Sequence, residues 1–251
     1  MNRSPIPRVL STLRRHRVKA LLMGGQACIL YGAAEFSRDV DLAVAVDPGN
    51  LARLRAALAA LGAEPVFFPP LSAESLSRGH ACHFRCRAPG LESVRVDVIA
   101  IMRGVDPFPR LWRRRERVRL PGIGTIPVMA VTDLVQAKKT QRDKDWPMIR
   151  RLLEADVARA PRRASPARVR FWLREGRTPA LLMEVAQRHS RIAAEEARRR
   201  PALRAARAGD LAATEEALRR EDDRERARDR RYWKPLKAEL ERWRLGRSRF
   251  P

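Results

Sequence analysis

Three aspartates set the chemistry this chain could perform. Asp39 and Asp41 open an apolar run, Asp39-Val-Asp41-Leu-Ala-Val, and Asp97 lies inside a second, Val94-Arg-Val-Asp97-Val-Ile-Ala-Ile. In a strand, residues i and i+2 point to one face, so Asp39 and Asp41 would stand side by side. Two adjacent anions repel unless a cation joins them, and the natural occupant is a hard divalent ion with oxygen ligands, Mg²⁺ or Mn²⁺, with positions left open for substrate phosphates. Asp97, an acid among apolar flanks, needs a partner. If its strand lies beside the first, three carboxylates could hold two metals and activate an attacking hydroxyl. Upstream, Gly24-Gly25 stops a short apolar run, Val18 to Met23, and Gln26 to Ala33 can continue as a helix. Glycines let the backbone approach a ligand closely, and free N–H groups at a helix start favour an anion such as a triphosphate. Singly, the glycine pair reads as a tight turn and Asp-x-Asp as a solvated strand end; together with Asp97 they read as a metal-dependent phosphoryl-transfer site.

Holding these residues takes alternating elements. Hydrophobic periodicity predicts strand 18–23, helix 25–33, strand 39–46, helix 49–61, strand 65–68, a short helix near 72–78, and strands near 81–87 and 94–102. Leu51, Leu54, Leu58 and Leu61 fall at helical spacing after Pro48, and Gly62 ends that helix. The basic segment Leu111-Trp-Arg-Arg-Arg-Glu-Arg-Val-Arg precedes the turn-rich Pro121-Gly-Ile-Gly, and Trp112 reads as an anchor to the core, with base stacking as the alternative. Past Asp156 comes a linker-like Pro161-Arg-Arg-Ala-Ser-Pro166, then helix-forming residues with helices near 166–174, 179–190, 192–207, 210–231 and from about Pro235 to Leu245. The sign-alternating run at 221–231 reads as a solvated helix face. Tyr232-Trp233, Trp243-Arg and Arg247-Ser-Arg-Phe mix aromatics with cations, which suits either clamping RNA or docking the tail onto the first domain.

Met23-Gly-Gly-Gln-Ala and Phe36-Ser-Arg-Asp-Val-Asp-Leu-Ala-Val resemble the minimal nucleotidyltransferases of the polymerase-beta-like superfamily, within them the AbiEii/MenT-type toxin group and related stand-alone enzymes. The resemblance continues through Ile126-Pro-Val-Met-Ala-Val-Thr-Asp-Leu-Val-Gln-Ala-Lys-Lys and Arg142-Asp-Lys-Asp145, covering about 150 residues. It implies an α/β (α+β) fold, a mixed sheet flanked by helices in a catalytic domain over 1–157, with a basic, predominantly helical region over 158–251. It puts Gly24, Gly25 and Ser37 around an NTP, Asp39 and Asp41 on the metals, and Asp97 as the third acid that ligates one metal and helps deprotonate the acceptor. Lys138 matches the motif lysine, with Lys139 one residue away as the alternative register. Lys138 and Arg142, four apart on one expected helix, would face the same way and neutralise phosphate charge. Asp145 is then catalytic or orients that lysine. Where many members carry an arginine this chain has Glu35, so that phosphate contact is absent or falls to Arg38.

Composition bounds the acceptor. With 53 Lys and Arg against 29 acids the net charge is +24, a field that attracts polyanions and opposes polycationic acceptors. Arginine bias from base composition is the competing explanation. No stretch approaches the ~20 apolar residues of a membrane span, and Met1-Asn-Arg-Ser-Pro-Ile-Pro-Arg lacks the apolar core of a secretory signal. Three cysteines, an odd number, fit a reducing compartment, so the expected location is cytoplasmic. His80-Ala-Cys82-His83-Phe-Arg-Cys86 offers four potential zinc ligands, but on a strand His80, Cys82 and Cys86 share a face while His83 points away. Packing is the better reading there, with His80 or His83 near the cleft, and Cys28 reads as core. The expectation is transfer of a nucleoside monophosphate from an NTP to a hydroxyl acceptor, RNA or a tRNA end, with an antitoxin protein as a further partner. The alternatives are nucleotidylation of a protein or metabolite, and a non-catalytic binding protein on the same fold.

Overall fold

The computed structural model describes residues 5–160 and 164–247. Residues 1–4 of the signal reading, 161–163 of the linker and 248–251 of the tail lie outside the described residues. The chain forms two compact units, the first made of residues up to Leu30, Ala34–Ala137 and the chain from Tyr232 on, the second of Tyr31–Ala33 and Lys138–Arg231.

The first unit runs α1 (Ile6–Arg15), β1 (Ala20–Met23), α2 (Gly24–Leu30), β2 (Asp39–Val44), α3 (Pro48–Ala60), β3 (Ala63–Pro65), α4 (Ala73–Ser77), β4 (Cys82–Cys86), β5 (Arg95–Ile99), α5 (Phe108–Arg113), β6 (Glu116–Leu120), β7 (Gly124–Val128) and α6 (Val131–Ala137). Its seven strands make one mixed sheet in the order β3-β4-β5-β2-β1-β7-β6, as the expected fold class requires. β2 sits centrally, antiparallel to β1 and parallel to β5. Val40 and Leu42 bury on one side of β2 and Val96 and Val98 on the same side of β5, which leaves the aspartates to the other. α3 starts where Asp47 accepts from Asn50 N (2.8 Å) and Pro48 takes the first turn. It ends at Gly62, which adopts φ +57. The buried Asn50 side chain bridges Lys19 and Ala45, tying α3 to the ends of β1 and β2.

The differences from expectation have local causes. α1 was not foreseen although Ile6, Val9, Leu10 and Leu13 bury on one stripe. The basic segment contains β6, which pairs with β7 in a hairpin and shows its arginines on the sheet edge. Trp112 lies beside Phe108, ring centroids 5.7 Å apart, with the Arg115 guanidinium 4.2 Å from its centroid, so it packs rather than presenting an open face.

The second unit holds α7 (Asp145–Arg159), α8 (Pro166–Glu175), α9 (Pro179–Arg188), α10 (Ser190–Ala197), α11 (Pro201–Arg207) and most of α12 (Leu211–Arg247). The helix expected over 192–207 is two, because Pro201 forces Arg200 into extended backbone (φ −126, ψ 104). The two helices expected over 210–245 are one, which carries Pro235 inside it. Buried charges are matched here: Arg168 and the Trp172 indole both donate to Asp156, and Arg200 donates to Glu221 and to the Leu173 and Gly176 carbonyls. Among the described residues no helix is long and apolar enough to cross a membrane.

Candidate functional site

Alternation on β2 puts Asp39 and Asp41 on one half-exposed face, and parallel register sets Asp41 against Asp97 and Asp39 against Arg95. Three of the predicted acids thus share one sheet face on adjacent central strands. On the other flank Met23 pairs with Asp41, so the chain leaves β1 into α2 beside that carboxylate. The contact is close. A Cβ on Gly24, which has φ +64, would fall 1.8 Å from Asp41 Oδ2, and one on Gly25 would fall 2.4 Å from Ser37 Oγ. Both glycines are therefore required by what they touch, Gly24 also by its left-handed backbone. The Ser37 loop is held by Gln26 Nε2, which donates to the Ser37 carbonyl at 2.8 Å, and by Ser37 Oγ donating to the Asp39 carbonyl at 3.3 Å. Arg38 is exposed, its guanidinium 5.5 Å from the Phe36 ring, and Phe36 is itself 71% exposed.

Asp97 has two side-chain partners on its own sheet face. His83 Nδ1, directly across the β4–β5 register, lies 2.9 Å from its Oδ1, and Arg95 Nη2 donates to both oxygens at 3.2 and 3.0 Å. Burial pushes the Asp97 pKa up, but the His83 hydrogen bond and charge, together with Arg95, outweigh it and hold the carboxyl below its usual range. Of the two histidines the sequence places near the cleft, His83 is the one beside Asp97, and Arg95 is the residue at this site that sequence reasoning did not assign. The alternation that sends Cys82 and Cys86 inward sends His83 to the acid face, and Arg95 stands two before Asp97 on one strand.

The donor set fits a divalent cation at Asp39 and Asp41, since two hard carboxylates on one half-exposed face leave further positions for water and phosphate. Asp97 is held by Arg95 and by the His83 ring, and among the described residues no three His, Cys, Asp or Glu side chains converge on a preformed metal cage. The three acids expected to hold metal thus stand on adjacent strands, with Asp97 clustered with His83 and Arg95.

In the second unit, Lys138 and Arg142 do not share a helix. α6 ends at Ala137, and the following loop folds around the buried Asp145. Lys138 Nζ donates to Asp145 Oδ1 at 3.0 Å, while Thr140 Oγ1 and Arg142 Nε donate to Oδ2 at 2.6 and 2.8 Å. The Trp146 indole donates to the Thr140 carbonyl (3.0 Å) and fixes the loop from below. Burial raises the Asp145 pKa, yet the Lys138 charge, the Thr140 hydrogen bond and the Arg142 charge bring it below the ordinary carboxylate value. Of the two readings for Asp145, orientation of Lys138 matches this geometry. Lys139 pairs instead with Glu175, 2.6 Å away.

The Cys/His segment packs. Cys82 and Cys86 are buried on β4, and burial, opposed by a hydrogen bond to the Ser72 backbone, pushes the Cys82 thiol up to about 11. His80 is fully buried with its Nε2 3.0 Å from Glu239 Oε2, and Cys28 lies in the core. Compared with known proteins, the chain matches no family profile and no curated sequence.

Proposed function

We propose that the chain is a metal-dependent nucleotidyltransferase that moves a nucleoside monophosphate from an NTP to a hydroxyl of RNA. The observation that carries this reading is the pair Asp39 and Asp41 on one half-exposed face, with Gly24 pressed on Asp41 and Gly25 on Ser37. In the reaction the acceptor oxygen bonds to the α-phosphorus, the α–β phosphoanhydride bond breaks, and pyrophosphate leaves. A divalent cation held by Asp39 and Asp41 supplies charge neutralisation on the phosphates when bound. Gly24 and Gly25 keep side chains off the approach to those carboxylates, and Ser37 offers a hydroxyl to a phosphate oxygen. The reading gives the acceptor's proton to Asp97, the carboxylate in register with Asp41.

The test incubates the full chain with each labelled NTP, Mg²⁺ or Mn²⁺, and total RNA, protein or metabolite extract. Label is expected in RNA. Asp39→Asn and Asp41→Asn are expected to reduce transfer at least ~100-fold with the fold unchanged. Wild-type turnover by either folded variant removes the assignment of the acids. Label in protein or in a small molecule moves the acceptor class, and no transfer to any acceptor favours a binding protein.

A further inference from the structure

The side of the sheet away from the acids carries a cavity of about 400 Å³ that the proposed reaction does not use. Its floor is apolar: Leu13, Leu22, Leu42 and Ile126 line it and each is at least nine-tenths buried. Its rim is cationic, formed by Arg14, Arg17, Lys19 and Arg53. Among the described residues none of these four pairs with a carboxylate, whereas arginines elsewhere in the chain do so, Arg114 with Asp133 and Arg174 with Glu196 among them. Arg53 spends its guanidinium on neutral oxygens, the Arg17 carbonyl at 3.1 Å and Asn50 Oδ1 at 3.4 Å. Four like charges around one apolar mouth repel each other, and an anion seated there relieves that repulsion.

Arg17 adds an independent observation. α1 ends with Val18 N donating to the Leu13 carbonyl (3.0 Å) and Arg17 N to the Arg14 carbonyl (2.9 Å), and Arg17 takes φ +53. That is the left-handed position closing a helix, where glycine is the unstrained residue. Here the strained position carries a guanidinium at the cavity mouth. The wall also limits the occupant. Trp112 is flanked by Phe108, by Arg115 and by the Lys19 ammonium 5.5 Å from its ring centroid, so it offers no open face for a nucleobase. The volume lies near the lower end of the ~300–1,000 Å³ usual for small-ligand pockets, enough for one chain and not for a two-chain lipid.

We propose that this cavity binds a single-chain aliphatic anion, its chain against the leucine floor and its carboxylate or phosphate head on Arg14, Arg17, Lys19 and Arg53. The inference stands apart from the proposed reaction, so either fails without the other. Calorimetric titration of the full chain with decanoate below its micelle concentration tests it, alongside decyl phosphate, 1-decanol and acetate. Decanoate is expected to bind saturably at one site, with decanol and acetate at least about tenfold weaker, a factor of ten being what one charge-assisted contact supplies. Tighter binding of decyl phosphate keeps the ligand class and names phosphate as the head. Arg17→Gly is expected to raise the melting temperature while weakening decanoate about tenfold, and Arg151→Gln, an exposed arginine elsewhere, to leave binding unchanged. Undiminished binding by Arg17→Gly, equal binding of decanol, equal loss in Arg151→Gln, or no saturable binding overturns the proposal.

Discussion

Gly24 has room for a hydrogen and nothing larger. With Asp41 Oδ2 1.8 Å from where a Cβ would stand, and φ at +64, Gly24→Ala must displace the carboxylate and strain the backbone together. It is expected to cost about 2 kcal/mol in urea unfolding and to lower transfer as far as Asp41→Asn does; wild-type stability and turnover would show that Asp41 does not depend on this contact. Asp145 gives a second residue-scale prediction, in pH. Its pKa is depressed in the fold, so its stabilisation is present above the unfolded carboxyl value of about 3.9 and is lost as pH falls through the folded one. Asp145→Asn leaves the nearly buried Lys138 unpaired, at a cost of roughly 3 kcal/mol at neutral pH, and should flatten the acid limb of the stability–pH curve. An unaltered acid limb would remove Asp145 from that role. Much of this scale was legible: the i, i+2 rule put Asp39 and Asp41 on one face, and β5 brought Asp97 beside them. What was not legible is the clamp on Asp97, since the pairing of His83 with it depends on cross-strand register, which one sequence does not state.

At the scale of elements, strands with clean alternation and helices with leucine stripes were readable, and elements whose cause lies in charge or in one proline were not. β6 hid behind Arg117 and Arg119, which face solvent on a sheet edge while Val118 and Leu120 lean inward. The break before α11 follows from Pro201, whereas Pro235 does not break α12. The turns after Pro235 have partners in the first unit: Trp243 sits edge-on to His80 and Phe68, with ring centroids 5.0 and 6.1 Å away, and Glu239 bonds His80 and Arg78. For Trp243 these contacts favour docking over an open face for RNA. Trp243→Ala is therefore expected to lower stability by about 1–2 kcal/mol, less than for a fully buried tryptophan because the ring is half-buried, while leaving RNA affinity within about twofold. A loss of RNA affinity without a loss of stability would return Trp243 to the RNA-clamping reading.

For the whole molecule, the dominant fact is charge, +24 from 53 basic and 29 acidic residues. Much of the acidic complement is already spent internally, as in the Arg168–Asp156 and Arg200–Glu221 pairs, so the surplus lies on exposed arginines such as Arg38, Arg117 and Arg119. A polyanion meeting that surface releases condensed counterions, and each released ion makes binding weaker as salt rises. If about five phosphates of a single strand are contacted, the affinity for RNA should fall roughly 100-fold between about 50 and 200 mM salt. The affinity for an NTP, held by a few local contacts, should change several-fold at most. Fluorescence anisotropy with a labelled RNA and a labelled NTP at several salt concentrations separates the two. A shallow RNA slope would mean that the charge is compositional and that the acceptor is not recognised through its phosphates. RNA binding absent even at low salt would move the acceptor to a protein or a metabolite, while a steep slope without any nucleotide transfer would leave an RNA-binding protein that carries an unused acid pair.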